Sequence, residues 1–198
     1  MKYERSFVEY FSKLPLFTAG DASRYLVKLG SSAEYSRLLL HNLVRSRRLF
    51  RIKKGFYTFS KDENVMGFAF RPFYYGMEYA LTLRKVWTQQ ANPVIITTSK
   101  ANTGVRDILL AKAVIHRINS RAFFGFEYLN YSGLFVPVSL PEKILLDFLY
   151  FEVNIDFTTQ MTLVKDSNRV TLRSFASRLG NRYLRQVNRL LEESAKAR

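Results

Sequence analysis

The feature that most constrains the fold is a very short break between two amphipathic helical segments. Residues 18–29 and 32–44 both repeat apolar side chains at helical spacing, and only Gly30 and Ser31 lie between them. Glycine favours the left-handed conformation that ends a helix. Ser32 is a residue type that begins one. The pattern predicts two helices joined at a steep angle by a tight turn, which is the arrangement of a helix-turn-helix.

The flanking residues extend this prediction. Residues 3–14 have helical periodicity that ends at Pro15, and residues 18–21 (Thr-Ala-Gly-Asp) have the pattern of a capping box. After the second helix, residues 49–59 form two short apolar runs around Gly55, which predicts a β-hairpin. The order of helix, helix, short turn, basic helix and hairpin predicts a winged helix-turn-helix DNA-binding domain over residues 1–60.

The remainder of the chain predicts an α+β fold. Residues 61–72 are interpreted as a connector, and residues 73–198 as a mixed α+β regulatory domain that ends in basic helices. Pro141 is suited to the first turn of a helix, and Gly180-Asn181 divides the last two amphipathic segments. The expected elements are a helix over 73–87, strands over 94–98, 114–118, 122–126 and 134–138, and helices over 142–151 and 171–196.

Charge is concentrated at the two ends of the chain. The net charge is +15, and residues 1–60 contain twelve Lys or Arg and four Asp or Glu, a net of +8 (12 − 4). Residues 61–160 have +1 (10 − 9) and residues 161–198 have +6 (9 − 3). Clustered positive charge indicates a polyanionic partner, of which nucleic acid is the commonest in a cell.

Several function classes find no support in the sequence. There is no cysteine, and the two histidines are 75 positions apart (116 − 41), so neither a metal site nor a catalytic triad is expected. No phosphate-binding or dinucleotide-binding glycine motif occurs. The N-terminus lacks a signal peptide and no apolar run reaches about 18 residues, so we expect a cytoplasmic protein without catalytic residues, metal, cofactor or membrane partner. The oligomeric state stays open.

The candidate DNA contacts lie on the second helix and the hairpin. Arg37, His41, Arg45 and Arg48 are spaced four, four and three apart, which predicts one stripe able to face phosphates and base edges. Ser32 and Ser36 are candidates for backbone phosphate at the helix N-terminus, although Ser32 also suits a simple cap. Arg51, Lys53 and Lys54 would form a cationic hairpin tip.

Two further clusters have more than one interpretation. A second anion-binding face is suggested by Arg178, Arg182, Arg185 and Arg189, but a solvated helix surface fits them nearly as well. Glu142 and Asp147 have the residue types of an acid/base pair in an enzyme acting on nucleic acid. A first-turn charge for Glu142 and a structural partner for Asp147 explain them better.

Residues 51–57 are a basic segment ending in Gly-x-Tyr, and residues 134–150 combine a strand-like run with Pro-Glu-Lys and Leu-x-Asp. These two blocks are similar to the wing and to the strand and helix block of the AbiEi-type abortive-infection antitoxins, a family of type IV toxin–antitoxin regulators that residues 5–155 resemble. Residues 73–81, 94–98 and 116–118 also resemble elements of the family, in the same order. Residues 156–198 depart from it, being shorter and more basic.

The resemblance implies a transcriptional autoregulator. By that likeness, the protein binds duplex DNA at its own promoter, represses it, and counters a nucleotidyltransferase-like toxin without necessarily forming a stable complex with it. The first alternative is a winged-helix regulator whose aromatic-rich second domain senses a small ligand, with no toxin partner. The identity of the adjacent gene separates these two hypotheses, and a magnesium-dependent nuclease assay tests the enzyme alternative.

Overall fold

The protein is a mixed α+β structure. The computed structural model describes residues 3–109, 111–131 and 133–196. The chain divides into two units: the first comprises Met1–Arg71 with Val105–Ala113, and the second comprises Pro72–Gly104 with Val114–Arg198. The division after Arg71 falls within the segment that was expected to connect two domains.

The first unit consists of three helices and a small three-stranded sheet whose strands alternate with the helices along the chain. Its strands form an antiparallel sheet in the order β1-β3-β2, and β1 lies between the first two helices in sequence. The elements are α1 (Glu4–Phe11), β1 (Phe17–Thr18), α2 (Ala19–Lys28), α3 (Ala33–Arg45), β2 (Phe50–Lys53) and β3 (Phe56–Thr58).

An aromatic cluster holds the first unit together. Phe7, Phe11 and Phe17 are buried, and the Phe11 ring centroid lies 4.7 Å from that of Phe7 and 4.3 Å from that of Phe17. Leu26 of α2 and Leu39 of α3 are buried in the same cluster. Each fully buried side chain of this size stabilises the folded state by about 1.5–3 kcal/mol, so this core fixes α2 and α3 against α1.

The segment expected to be an irregular connector is ordered and largely buried. Residues Glu63–Phe70 form a 3-10 helix that begins at the cap residue Asp62, whose carboxylate accepts from the backbone N–H of Asn64 at 2.8 Å. Val65, Met66 and Phe70 of this helix are buried. This part of the expected connector therefore supplies buried side chains within the first unit.

Most strands of the larger sheet belong to the second unit, but nearly all of β6 and the first residues of β7 fall in the Val105–Ala113 segment of the first unit. In the described residues the strand order of this sheet is β6-β7-β5-β4-β9-β8, with β4 and β9 parallel, β5 and β7 parallel, and the pairs β4/β5 and β8/β9 antiparallel. The elements are β4 (Phe73–Tyr75), α4 (Met77–Leu83), β5 (Val94–Thr97), β6 (Gly104–Ile108), β7 (Ala111–Arg117), β8 (Phe126–Tyr131) and β9 (Leu134–Ser139).

Four helices follow the last strand in the described chain: α5 (Pro141–Phe151), α6 (Phe157–Asp166), α7 (Arg169–Leu179) and α8 (Asn181–Lys196). Helix α5 contacts β9 and α4 on one side and α6 and α7 on the other, so it is the central helix of the unit. The predicted helix start at Pro141 and the division at Gly180-Asn181 are both confirmed.

Two sequence predictions in this region are wrong. Residues 73–75 form a strand rather than the start of a helix, because they pair with β5 on one side and β9 on the other. Gly76, which follows the strand, lies so close to β5 that an added Cβ would be 2.3 Å from Ile96 Cδ1. Residues 122–126 form no strand, since Gly125 has φ +74° and β8 begins only at Phe126. Helix α6 was not predicted.

Candidate nucleic-acid interface

Local capping fixes where α2 and α3 begin and end. The Thr18 hydroxyl accepts from the Asp21 N–H at 3.1 Å, and the Asp21 carboxylate accepts from the Thr18 N–H at 2.8 Å, so the predicted capping box is confirmed. Gly30 has φ +86°, its N–H donates to Val27 O at 2.9 Å, and the Ser31 N–H donates to Leu26 O at 3.0 Å. This is a Schellman end, and it directs the chain into α3 within four residues.

Helix α3 has one buried face and one exposed cationic face. Leu39, Leu40 and Leu43 are buried in the first unit's core. Arg37, His41 and Arg45 are exposed, and no ion pair or hydrogen bond of their side chains is found among the described residues, although Arg37 is close enough to Glu34 to interact with it electrostatically. Leu38 lies on the same face with 53% of its surface exposed. One exposed surface of α3 therefore carries two guanidinium groups, one imidazole and one aliphatic side chain.

Ser36 does not belong to this exposed face. It is only 2% exposed and lies on the buried side of α3 with Leu39 and Leu40. The sequence predicted a phosphate contact for Ser36 because a serine near a helix start fits such a contact as readily as a packing position. A buried hydroxyl does not reach a DNA backbone, so Ser36 is removed from the candidate interface.

Ser32 acts as the cap of α3. Its hydroxyl oxygen accepts from the Tyr35 N–H at 3.2 Å. The carboxylate of Glu34 accepts hydrogen bonds from the backbone N–H of Glu34 and from the Ser32 hydroxyl, and both lower the pKa of Glu34. The helix N-terminus thus already has a carboxylate beside it, which disfavours a phosphate at the same place. Ser32 is exposed, but its hydroxyl has these two local partners.

Arg48 lies beyond the helix and is paired. Helix α3 ends at Arg45, and the Arg48 guanidinium forms an ion pair with Glu4 of α1. The predicted four-residue stripe therefore contains three helical positions, and Arg48 is not one of them. Arg47, which the sequence interpretation passed over, is exposed and occupies the left-handed position at the helix end with φ +56°.

The hairpin exposes two of its three predicted cations. Arg51 and Lys54 are exposed, and Lys54 lies in the two-residue turn with Gly55. The Lys53 ammonium instead lies 4.5 Å from the Phe56 ring centroid and 4.7 Å from that of Phe70, and burial lowers the pKa of Lys53. We therefore exclude Lys53 from the interface: its charge is directed to two aromatic rings. The Ala19 N–H donates to Gly55 O at 2.9 Å, which joins the turn to the start of α2.

The C-terminal arginines are on two helices and are mostly engaged. The guanidinium of Arg178, on α7, lies 4.1 Å from the Phe124 ring centroid. On α8, Arg182 pairs with Glu152 at 2.9 Å and Arg189 with Glu193 at 3.0 Å. For Arg185 no side-chain partner is found among the described residues, and it is exposed. A continuous anion-binding stripe is therefore not formed by these four residues.

Glu142 and Asp147 have structural partners in the second unit. Glu142 is buried and its carboxylate accepts from the backbone N–H of Asn168, the cap of α7, at 2.7 Å. Asp147 is fully buried and pairs with Lys143, which lies one turn earlier on α5. The Tyr74 hydroxyl donates to the same carboxylate at 3.0 Å. The two carboxylates thus serve different neighbours.

The buried Lys143–Asp147 pair was not anticipated. Burial raises the pKa of Asp147, while Lys143 and the hydroxyls of Tyr74 and Ser139 oppose that shift. Burial also raises the pKa of Tyr74 well above its usual value. The sequence shows that Lys143 and Asp147 have the i, i+4 spacing of a helical ion pair. Only the packing of α5 against the sheet shows that both side chains are fully buried and shielded from solvent.

Within the described residues, no group of three or more His, Asp or Glu side chains could hold a metal ion. None of the helices in those same residues has both the length and the apolar character that a membrane crossing needs. No protein-family model matches the sequence, and no curated protein is significantly similar to it.

Proposed function

We propose that the first unit is a winged helix-turn-helix and that the protein binds duplex DNA through α3. The observation that carries the proposal is the exposed face of Arg37, His41 and Arg45, which point away from a leucine core on a helix that follows a Schellman turn. A recognition helix needs both features: a rigid attachment on one side and unpaired polar side chains on the other.

Each exposed residue has a defined role in the proposal. Arg37 lies in the first half of α3, where a guanidinium can bond the O6 and N7 acceptors of guanine. Leu38 can pack on a thymine methyl group. Arg45 in the last turn, with Arg51 and Lys54 on the hairpin, would bind phosphates and position the helix.

The charge distribution supports this assignment. The net +8 of residues 1–60 (12 − 4) matches a partner with one negative charge for every ~1.7 Å of its axis. The first unit also contains several aromatic pairs that lock its core, so the cations are presented on a rigid surface. Such a surface loses little conformational entropy on binding.

The second part of the proposal is a regulatory role. We propose a cytoplasmic transcriptional autoregulator that represses its own promoter and acts as the antitoxin for a nucleotidyltransferase-like toxin. The support is the likeness to AbiEi-type antitoxins, whose Pro-Glu-Lys and Leu-x-Asp block corresponds here to β9 and α5. In this chain that block supplies the buried Lys143–Asp147 pair and the Glu142 contact to α7.

The enzyme alternative is less well supported by the geometry. Glu142 and Asp147 are buried, and each already accepts hydrogen bonds from the protein. General acid/base chemistry needs a group within hydrogen-bond reach of a substrate. We therefore propose a non-enzymatic protein, and a magnesium-dependent nuclease activity lost in a folded Glu142→Gln variant would contradict this.

The experiment compares two single variants on two DNA duplexes. Arg37→Ala should reduce affinity for DNA from upstream of the protein's own gene by about 1–3 kcal/mol and relax the preference for that sequence. Lys54→Ala should weaken binding to that DNA and to a random duplex by the same factor. Ser36→Ala is the matched control on α3 and should bind both duplexes like the wild type, provided it is folded. If both variants affect the two duplexes equally, the assigned roles are wrong.

The antitoxin role has a separate test. If the adjacent gene encodes a nucleotidyltransferase-like protein that arrests growth, co-expression of this chain should restore growth. Failure to restore growth, with DNA binding intact, would leave a DNA-binding regulator without the antitoxin role.

A further inference from the structure

Strand β8 is the last strand of the larger sheet, and no strand among the described residues pairs with its outer edge. Its inner edge pairs with β9, with Tyr128 opposite Pro137 and Tyr131 opposite Leu134. The Leu140 N–H donates to Gly125 O at 2.9 Å, which sets the alternation of hydrogen-bonded pairs along the hairpin. By that alternation, Glu127, Leu129 and Tyr131 bond to β9, and the backbone groups of Phe126, Tyr128 and Asn130 face away from the sheet.

The exposed surface beside this edge is aromatic. Tyr128 is 66% exposed and Phe135 is 59% exposed. Because Phe135 is opposite Asn130, which is two residues from Tyr128, both rings lie on the same face of the hairpin. Large exposed aromatic side chains next to an unpaired strand edge are features of a pairing surface.

The usual protections against edge pairing are missing from β8. The strand has the sequence Phe-Glu-Tyr-Leu-Asn-Tyr, without lysine, arginine or proline. Its one charged residue, Glu127, is paired with Arg84, the residue that follows α4, at 2.8 Å. In contrast, β6 at the opposite end of the strand order contains Arg106 and Asp107. Charged side chains of that kind are what natural sheets use to prevent edge pairing.

We infer that β8 pairs with β8 of a second copy of this chain, antiparallel, about a two-fold axis at Tyr128. In this register Tyr128 faces its own symmetry mate, and Phe126 faces Asn130. Glu127 then faces Leu129 of the other copy. No like charges are opposed, and the outward backbone groups of Phe126, Tyr128 and Asn130 are satisfied.

Self-pairing explains the surface better than a foreign strand does. Tyr128 is the central residue of the outward-facing set Phe126, Tyr128 and Asn130. A two-fold axis at Tyr128 therefore pairs this set with the same set of the second copy, and no outward-facing backbone group of either strand is left unpaired. A register centred on Glu127 would place the two Glu127 residues opposite each other in a non-hydrogen-bonded pair, whose Cα atoms lie about 4.5 Å apart, and opposed like charges are unfavourable. The register centred on Tyr128 avoids this and also pairs all three outward-facing residues within the strand.

The size of the surface sets the strength of the dimer. A buried aromatic side chain removes roughly 150–250 Å² from water, and more than half of that area is still available on Tyr128 and Phe135. Four such rings and two strand edges fall below the roughly 1,200 Å² of a stable interface. We therefore expect a weak, reversible monomer–dimer equilibrium that is visible only at micromolar or higher protein concentrations.

The test uses the full chain without DNA, so its outcome is independent of the proposed function. Sedimentation velocity from low to several hundred micromolar protein should show a reversible dimer for the wild type. Tyr128→Lys and Tyr128→Glu should each be monomeric, because each opposes two like charges across the axis. Mixing these two variants should restore a dimer, since the lysine and the glutamate then face each other. Val170→Lys, at a position on α7 that is 78% exposed, should dimerise like the wild type.

A cross-link tests the register directly. The chain has no cysteine, so a single introduced thiol reports on its own symmetry mate. The Cα atoms of a facing hydrogen-bonded pair lie about 5.5 Å apart, within the range of about 4.4–6.8 Å that a disulfide spans. Under mild oxidation, Tyr128→Cys should form covalent dimers much faster than Val170→Cys. A monomer at every concentration, a dimer that persists in Tyr128→Lys, or equal cross-linking of the two cysteine variants would each overturn the inference.

Discussion

Replacing Lys143 with methionine should strand the Asp147 carboxylate in a dry environment. Both side chains are fully buried, and Lys143 also donates to the Tyr74 hydroxyl at 2.9 Å. Methionine preserves most of the side-chain volume, so the main loss is the positive charge. Removing one partner of a buried pair typically destabilises a protein by about 3–5 kcal/mol.

The destabilisation caused by Lys143→Met has an upper limit that depends on pH. A stranded carboxylate can always take up a proton, and from an ordinary pKa of about 3.9 this costs roughly 1.4 kcal/mol per pH unit, or about 4 kcal/mol at pH 7. In the Lys143→Met variant the folded-state pKa of Asp147 is raised above the unfolded value, so stability is lost as pH rises from the unfolded pKa. The penalty relative to wild type should fall to roughly 1.5 kcal/mol at pH 5.

Urea denaturation at a series of pH values measures this penalty directly. The reciprocal variant, Asp147→Asn, strands the ammonium group, so its penalty should fall as pH rises instead. The double variant Lys143→Met/Asp147→Leu removes both charges and should be more stable than either single variant. A penalty that is the same at all pH values for both single variants would refute the reasoning, because lost packing does not titrate.

Three further predictions concern the first unit. Asp21→Ala should cost about 1 kcal/mol in neutral urea denaturation because it removes half of the capping box. Hydrogen bonds from Thr18 lower the pKa of Asp21 below its usual 3.8, so this advantage is present above that value and is lost as pH falls through the lower folded-state value. Arg47→Gly should raise the free energy of unfolding by about 0.5–1 kcal/mol by relieving the left-handed backbone, whereas Arg47→Ala should not. Lys53→Met should leave DNA affinity nearly unchanged while Lys54→Ala lowers it, and equal losses in an anisotropy titration would contradict the assignment of Lys53 to Phe56 and Phe70.

Much of the first unit could be predicted because its signals are local. The Thr18–Asp21 capping box, the Gly30 helix end and the Gly55 turn are each specified by a few adjacent residues, and all three occur as expected. The helical spacing of apolar residues in 32–44 predicts one buried face, and Leu39 and Leu43 lie on it. Only the packing against α1 and α2 shows that Leu39 is buried while its neighbour Leu38 is 53% exposed.

The errors occur where distant residues decide the outcome. Arg48 appeared to continue the stripe of α3, but an arginine at a left-handed position ends the helix before it, and Glu4 from another helix captures its charge. Lys53 appeared free at the hairpin tip because the ring of Phe70 is seventeen positions away (70 − 53). Ser36 depends on which face α3 buries. Sequence spacing contains none of these tertiary contacts.

The second unit was harder to predict for a similar reason. Phe73–Tyr75 is rich in aromatic residues and precedes a true helix, so periodicity extended that helix backwards. The strand forms because β5 and β9 pair with it on both sides. The buried Lys143–Asp147 pair is equally non-local, since its dryness depends on Tyr74 from 69 positions away (143 − 74).

The central claim is that exposed cations of the first unit bind DNA phosphates, and salt dependence tests it most directly. For the full chain on DNA from upstream of its own gene, the slope of log affinity against log salt should be about −4 to −6. Arg45→Ala/Lys54→Ala should reduce the magnitude of that slope by about two. Lys100→Ala/Arg121→Ala, which removes the same charge from exposed sites of the second unit, should leave it unchanged. A flat salt response, or equal slopes for the two double variants, would contradict the account.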